Sequence, residues 1–365
     1  MALMMRRLFI LALMPLLMPT PGLGAGIERL SLPPGFTISA FADVPGARSL
    51  AVADELGVVF VGTRGSRVYA VQFRPGAPRA DKVSVVRRNL KVANGVAWRD
   101  GHLFVAEQHR VVRFRGNNLQ ALARARPQIL AKGLPDKRHH GWRYAKFGPD
   151  GHLYVTIGAP CNVCEVDGLE GTIIRLPASG GKPEIFARGI RNSVGLDFHP
   201  KSGEVFFTDN GADHMGDDSP PDEFNHAPRG GLHFGYPWFG GGTDRTPAFR
   251  GSSPPADARF PVVSFGAHVA ALGVHFYGGS MFPADFAGDA FVAQHGSWNR
   301  SIPDGYRVVR VRFDNAGNAT GYEPFIEGWL RGGKAWGRPV DVAELADGSL
   351  LVSDDESGTI WRITH

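Results

Sequence analysis

The chain has 365 residues, of which 43% are hydrophobic and 21% charged, and its formal net charge is +5. This balance is typical of a globular protein with enough apolar surface to build a core, and it excludes an extensively disordered chain. The charge excess is small and no block of Lys and Arg is present, so no nucleic-acid partner is indicated. The 48 Gly and 27 Pro fall between short runs rich in Val, Ile and Phe, which predicts many short strands joined by turns.

The first 25 residues have the features of a secretory signal peptide. Arg6 and Arg7 precede the apolar stretch 8–18, and small residues follow it. The stretch is shorter than the roughly 20 residues that a membrane-spanning helix needs, and an uncleaved anchor is the alternative. We therefore predict that residues 26–365 form a single domain that is periplasmic or secreted and has no membrane span after cleavage.

One phrase, a Gly-led turn, an alternating strand, a polar connection and a second strand, recurs along the chain. Its six copies are 57–73, 101–115, 151–160 with 171–177, 203–211, 288–296 with 306–314, and 348–364. A preceding strand is visible in most copies. The early copies are roughly 45 to 50 residues apart, which is the length of a propeller blade.

The repeat predicts an all-β fold, a six-bladed β-propeller with four-stranded blades. Segment 34–44 is a further strand that could close the ring against a terminal blade, and the Gly/Pro-rich segments 213–265 and 315–337 are predicted loops on one face. A β-sandwich is the alternative, but a sandwich does not require six near-equivalent phrases.

The chain contains two cysteines, Cys161 and Cys164. Export to an oxidising compartment favours a disulfide between them. Glu165 follows the second cysteine where covalent haem attachment needs His, and no second Cys pair is present for a structural zinc site.

In a propeller, the loops that lead into the innermost strands meet around the central channel. Polar residues just before the first strand of each copy should therefore converge. They are His139 and His140, Arg191 and Asn192, the acidic stretch 207–225, and a last group of His295, Asn299, Arg300 and Arg338.

Each group suits a different chemistry. A His at the channel mouth could act as a general base, because its usual pKa lies near neutrality, or could only form hydrogen bonds. Arg191 beside Asn192 suits a planar ligand with carboxylates, or is a surface Arg next to a turn Asn. The acidic stretch is calcium-like without EF-hand spacing, or is a solvated loop. Cations from several blades would favour an anionic ligand.

Taken together, these residues resemble the quinoprotein sugar dehydrogenases that use pyrroloquinoline quinone (PQQ), the family of soluble glucose, aldose sugar and sorbosone dehydrogenases. The resemblance covers nearly all of the chain after residue 25. It rests on His140 eight residues before GPDG, the Arg191-Asn192 pair ahead of GLDFHP, TDNGADHMGDD before GLHFGYP, and GRPVDV near the end. APCNVCE and QHGSWNR look closer to the sorbosone branch.

The resemblance implies oxidation of an aldose or aldehyde-type sugar, with His140 as the general base that takes the sugar's hydroxyl proton. It also implies that PQQ is bound beside Ca²⁺. The backbone carbonyls of Gly211 and Ala212 would be calcium ligands, and the metal would polarise the quinone carbonyl as a Lewis acid.

The resemblance further implies that Arg191 and Asn192 contact the cofactor's oxygens and that Arg338 faces its carboxylates. The glucose enzyme has additional contacts for which this chain has altered residues. The nearest equivalents are Asn94 before the second blade, His295 or Arg300 in the fifth, and Val340 in place of a second Arg.

Two other functions fit a six-bladed propeller: a Ca²⁺-dependent lactonase-type hydrolase and a non-catalytic binding module. The predicted channel mouth carries more Arg and His than carboxylates, which favours the dehydrogenase. The predicted partners are a small-molecule sugar and a separate electron acceptor, a quinone or a cytochrome, because the chain has no haem motif.

Overall fold

The computed structural model describes Gly24 and residues 26–365, and these residues are almost entirely β-structure. Within this range one α-helix occurs, α1 (Leu119–Arg124), together with four single 3-10 turns. The 3-10 turns are Ile27–Arg29, Asp54–Leu56, Pro247–Phe249 and Ala284–Phe286. The predicted signal peptide lies outside the described residues except for Gly24.

The strands form six antiparallel blades, and the first strand of the chain belongs to the last blade. That strand is β1 (Thr37–Asp43). Blade one consists of β2 (Leu50–Ala53), β3 (Val58–Val61), β4 (Val68–Gln72) and β5 (Lys82–Arg87). Blade two consists of β6 (Gly95–Arg99), β7 (His102–Glu107), β8 (Arg110–Arg115) and β9 (Gln128–Lys132).

A short strand from the segment that forms the fourth blade pairs with the third blade. Blade three consists of β10 (Ala145–Phe147), β11 (His152–Ile157), β12 (Thr172–Pro177) and β13 (Glu184–Arg188). Blade four consists of β14 (Leu196–Phe198), β15 (Val205–Asp209), β16 (Pro221–Ala227) and β18 (Val263–Ala267). Between its last two strands, β17 (Leu232–His233) pairs in parallel with β13 and adds a fifth strand to blade three.

The last two blades flank a small hairpin. Blade five consists of β19 (Ala271–Phe276), β20 (Ala290–Gln294), β21 (Arg307–Phe313) and β22 (Ala319–Ile326). The hairpin is β23 (Leu330–Arg331) with β24 (Lys334–Ala335). Blade six consists of β25 (Pro339–Glu344), β26 (Leu350–Asp354), β27 (Thr359–Thr364) and β1.

The burial of each strand follows its position in the blade. The second strands are buried almost throughout, and β3 and β26 are buried at every position, because both of their faces pack against neighbouring blades. The outer strand β5 is mostly half-buried.

The turns between strands use residues that adopt positive φ values. Asp100 and Gly101 join β6 to β7 with φ values of 48° and 70°, as a two-residue type I′ turn requires.

The ring is closed by pairing between the two ends of the described chain. β1 pairs antiparallel with β27, and Thr37 lies opposite Thr364. Successive innermost strands contact one another around the channel, and β2 contacts β25. The predicted six-bladed propeller and the closing strand at 34–44 are therefore confirmed, and the sandwich alternative is wrong.

No helix within the described part of the chain is both long and apolar enough to cross a membrane.

Candidate functional site

The loops that precede the innermost strands enclose a cavity of about 380 Å³ at one end of the central channel. Side chains from five of the six blades line it. The polar members are Arg48, Arg64, His139, His140, Arg191, Asn192, Asn210, Asp213, Asp222, His268, His295, Asn299 and Arg338. The structure therefore brings most of the predicted site residues together.

His140 lies buried in the cavity wall with its unprotonated nitrogen free. Its Nδ1 lies 3.0 Å from the carbonyl oxygen of Ala159. A carbonyl only accepts, so Nδ1 carries the proton and Nε2 has a free lone pair. Burial, with the nearby cation Arg191 and the neighbouring His139, lowers the pKa of His140 to about 2. The imidazole is therefore neutral at physiological pH.

The backbone around His140 is held in an uncommon conformation. Its φ is 47°, in the left-handed region that non-glycine residues seldom adopt. The buried guanidinium of Arg143 donates to the carbonyl oxygens of His140, Gln108 and Pro135 at 3.2, 3.1 and 2.6 Å. These bonds fix the loop that presents the imidazole.

Arg191 and Asn192 enter the cavity from the loop before β14. Both of their backbone N–H groups donate to the carboxylate of Asp209, at 2.7 and 2.5 Å. Blade six repeats this arrangement, since the N–H of Arg338 donates to Asp354 at 2.8 Å. A carboxylate at the end of a second strand thus fixes the loop that leads into the innermost strand of the same blade.

The turn at Gly211 and Ala212 lies at the cavity floor, next to buried carboxyl groups. The N–H of Gly211 donates to Asp222 at 2.7 Å and the N–H of Ala212 to the Gly240 carbonyl at 2.6 Å. No donor of the described residues bonds the carbonyl oxygens of Gly211 and Ala212. Burial raises the pKa of Asp222 to about 6.

Arg338 and His295 form the wall between the fifth and sixth blades. Arg338 donates to the carbonyl oxygens of His295 and Gly296, at 3.1 and 2.6 Å. His295 Nε2 lies 2.8 Å from Asp355. Burial lowers the pKa of His295 to about 4 despite that carboxylate, so the neutral ring donates from Nε2.

The structure places Asn94 and Arg300 behind the cavity wall. Asn94 is fully buried, and its Oδ1 accepts a 2.7 Å hydrogen bond from Nε of Arg48. Arg300 ties its own loop to the acidic stretch through the carbonyl oxygen of Asp217 and the carboxylate of Asp218. Asn94 therefore contacts a residue that lines the cavity, Arg48, whereas none of the hydrogen-bond partners that Arg300 has among the described residues lines it.

The cavity residues that the sequence analysis did not single out include Arg48, Arg64, Trp142, Trp298 and His268. Arg48 lies two residues before β2 (Leu50–Ala53) and begins the phrase RSLAVA, so the position rule that selected Arg191 could have selected it as well. Arg64 lies in the turn after β3, where no such rule applies. Trp298 is 66% exposed, and an exposed Trp has no signature in a single sequence.

The predicted disulfide is present and lies beside the site. Cys161 and Cys164 are bonded to each other. The N–H of Cys164 donates to the hydroxyl oxygen of Tyr236 at 3.1 Å. Within this turn, Asn162 accepts hydrogen bonds from Arg191. No cluster of three His, Cys, Asp or Glu side chains able to hold a metal occurs in the described ranges.

The fold and the site define a six-bladed propeller whose channel mouth carries a neutral buried histidine and four arginines. The sequence profile of the glucose / sorbosone dehydrogenase family matches residues 105–362. The chain belongs to this family, which confirms the resemblance drawn from its motifs. Membership assigns it to the sugar dehydrogenases, oxidoreductases that oxidise sugars.

Similar proteins share the fold over most of its length. An uncharacterized protein of Borreliella burgdorferi is 33% identical over 354 residues, 93% of this chain and 91% of that protein. A Trichoderma reesei structure of carbohydrate-active enzyme family AA12 matches with a TM-score of 0.77 and 19% identity, over 92% of this chain and 97% of its own. The holo PQQ domain of a Coprinopsis cinerea pyranose dehydrogenase matches with a TM-score of 0.75 and 18% identity, over the same shares.

Proposed function

We propose that this chain is a PQQ- and Ca²⁺-dependent dehydrogenase of an aldose or aldehyde-type sugar. The observation that carries the proposal is the convergence of a neutral His140 and four arginines on one cavity at the channel mouth. A planar tricarboxylate needs cationic donors, and a sugar hydroxyl that loses its proton needs a base. The cavity offers both.

The residues present fit the cofactor. PQQ carries three carboxylates, which guanidinium groups bind well. Arg48 has a buried Nη2 without a hydrogen-bond partner among the described residues, and Arg64 forms no ion pair with any of them. Donors are therefore available to an anion. Arg191, Asn192, Arg338 and His295 would hold the cofactor's oxygens, and Asn94 would orient Arg48 from behind the wall. Arg300 does not line the cavity and is not a contact in this proposal.

The turn at Gly211 and Ala212 fits a calcium ion. Ca²⁺ prefers oxygen ligands, including backbone carbonyls. The carbonyl oxygens of both residues accept no hydrogen bond from the described part of the chain. The carboxyl of Asp222 behind the turn would add negative charge close to the ion.

His140 would move the proton. When bound, PQQ would supply the acceptor for a hydride from the sugar carbon, and Ca²⁺ would supply a Lewis acid. The Nε2 lone pair of His140 takes the proton of the sugar hydroxyl, and the Nδ1 bond to Ala159 keeps the ring in the required tautomer. Because burial holds the imidazole neutral, the base is ready before the sugar arrives.

The lactonase alternative would place acidic and Asn side chains around the ion, whereas this cavity has four arginines and two aspartates. A binding module would not need a buried neutral histidine beside those arginines. Both alternatives predict no reduction of an electron-accepting dye. We also propose that the protein is exported and passes its electrons to a separate acceptor.

The test combines cofactor binding with turnover. Purified apoprotein is titrated with PQQ in the presence of Ca²⁺ or of a calcium chelator, and dye reduction is followed with a panel of aldoses. Absence of both PQQ binding and sugar-dependent reduction would overturn the proposal. His140→Gln should bind PQQ as the wild type does but lose turnover. His152→Gln, at the start of β11 in the same blade and outside the cavity lining, is the matched control and should retain it.

Export has its own test. The protein is expressed with its natural N-terminus, and the periplasmic fraction is analysed by mass spectrometry. A mature chain that begins close to residue 26 is expected. Recovery of the full-length chain in the membrane fraction would show an uncleaved anchor instead.

A further inference from the structure

A second space, the side chamber, lies beside the central cavity, between the first and sixth blades. The side chamber has a volume of about 530 Å³. It shares four residues with the central cavity, namely Arg48, Arg64, His295 and Arg338. The wall common to both spaces therefore carries three guanidinium groups and one imidazole.

Only one carboxylate among the described residues, that of Asp355, contacts side chains of this wall. Asp355 pairs with Nη1 of Arg48 at 2.5 Å and with Nε2 of His295 at 2.8 Å. Arg338 donates only to backbone carbonyls from its side chain. Glu356 also lines the side chamber but forms no ion pair with any described residue. The wall consequently has more cationic groups than anionic partners.

The first sign that this wall binds an anion comes from Arg48. It is 1% exposed, its Nε donates to Asn94, and its Nη2 is buried with no partner among the described residues. A buried donor without an acceptor is unfavourable. Such a donor on a cavity wall is expected to be satisfied by a ligand.

Arg64 is the second sign. Its guanidinium lies 4.7 Å from the centre of the Trp142 ring, which orients it, and it forms no hydrogen bond or ion pair within the part of the chain that the structure describes. Partial removal from water, with the neighbouring cation Arg48, lowers its pKa to about 10. The group still carries its charge at neutral pH and is accessible from both spaces.

We propose that Arg48 and Arg64 form a carboxylate-binding site at the wall shared by the central cavity and the side chamber. The identity of the ligand rests on the proposed function, because the carboxylate belongs either to PQQ or to a sugar acid that the enzyme oxidises. In the first case, blade one supplies cationic contacts that the altered second and fifth blades lack. In the second case, the site selects uronates over neutral sugars.

The first experiment measures PQQ binding to the apoprotein by isothermal titration calorimetry. Arg64→Gln removes the accessible charge, and Arg67→Gln, in the same turn but outside the central cavity, is the matched control. We expect Arg64→Gln to weaken PQQ binding at least tenfold and Arg67→Gln to change it less than twofold. The trimethyl ester of PQQ, which lacks the carboxylates, should bind both variants equally.

A second variant tests Arg48 without leaving Asp355 unpaired. Arg48→Lys keeps the positive charge but loses the fork of N–H donors. It should fold, as thermal unfolding would show, and should bind PQQ more weakly than the wild type while binding the ester normally. Unchanged PQQ binding in this variant and in Arg64→Gln would exclude the cofactor as the source of the carboxylate.

The second experiment compares glucuronate with glucose. If the substrate supplies the carboxylate, Arg64→Gln should weaken glucuronate binding at least tenfold and leave both glucose and PQQ binding unchanged. If neither PQQ nor glucuronate binding responds to Arg64→Gln, the site is rejected. Should the wild type not bind PQQ at all, the proposed function fails, and glucuronate binding to the apoprotein then decides the carboxylate site on its own.

Discussion

Asn162 accepts two hydrogen bonds from the Arg191 guanidinium: its backbone oxygen lies 3.0 Å from Nε and its side-chain oxygen 2.8 Å from Nη2. The same guanidinium pairs with Asp213 at 2.7 Å, and Asp213 in turn donates its N–H to Asn162. Asn162 lies inside the turn closed by the disulfide. The disulfide thus orients a proposed cofactor contact from outside the cavity.

The first prediction follows from this relationship. Asn162→Ala removes the side-chain acceptor of Arg191, so PQQ affinity should fall roughly tenfold, equivalent to about 1.4 kcal/mol. The Cys161→Ser/Cys164→Ser double variant, which lacks the disulfide, should also bind PQQ more weakly than the wild type. Titration calorimetry measures each case. Equal affinities of the double variant and the wild type would show that the disulfide does not position Arg191.

The second prediction concerns Gly158, which packs against His140. A Cβ at this position would lie 2.5 Å from the His140 Cβ and 2.9 Å from its carbonyl oxygen. Gly158→Ala should therefore displace the imidazole, with a destabilisation of about 1–3 kcal/mol and at least a tenfold loss of kcat. Gly251→Ala is the control, because no atom lies within 4 Å of its added Cβ. Steady-state kinetics and urea unfolding measure both effects.

The third prediction is a pH dependence of stability caused by His140. Its pKa is about 2 in the folded protein and about 6.5 when unfolded, so the unfolded chain binds the extra proton between these values. Its contribution should favour the folded state above pH 6.5 and be lost progressively as the pH falls below that value. Between pH 7 and pH 5 the loss should be about 2 kcal/mol.

His140→Gln isolates this contribution from those of the buried carboxyl groups. Chemical unfolding at pH 7 and pH 5 gives the free-energy difference for each protein. The wild type should lose about 2 kcal/mol more than the variant over this interval. Parallel pH profiles would mean that the imidazole is not buried in its neutral form.

The fourth prediction concerns Trp298 at the rim of the cavity. Its ring lies edge-on to His214, with 5.7 Å between the ring centres, and the next residue, Asn299, donates to Asp213. Because the side chain is 66% exposed, Trp298→Ala should change the free energy of unfolding by less than about 0.5 kcal/mol. It should nevertheless raise the KM for sugars, because an apolar face that lines the cavity is lost.

Ile302 provides the comparison for Trp298. It is in the same loop and is 75% exposed, but it does not line the cavity. Ile302→Ala should leave both KM and kcat unchanged. A KM that rises equally in the two variants would indicate that the loop as a whole, rather than the Trp298 ring, affects the sugar.

The sequence by itself determined the architecture and the positions at which chemistry could occur. Each blade is a local unit of short strands and Gly-led turns, so six similar phrases predict six blades. The same repeat places His140, Arg191 and Arg338 before innermost strands, and these strands meet at one axis. Local periodicity is enough to predict these positions, because the order of strands and turns along the chain does not depend on how the side chains pack.

Only the tertiary structure decided which side chains reach the cavity. Asn94 occupies a suitable position, but Arg48 covers it and takes its side-chain oxygen. Arg64 reaches the same wall from a turn that no position rule selects. These contacts are set by competition among hydrogen-bond partners. They are also set by the closure of the ring between Thr37 and Thr364, which are 327 residues apart. Neither can be read from spacing along the chain, because both depend on residues that folding brings together.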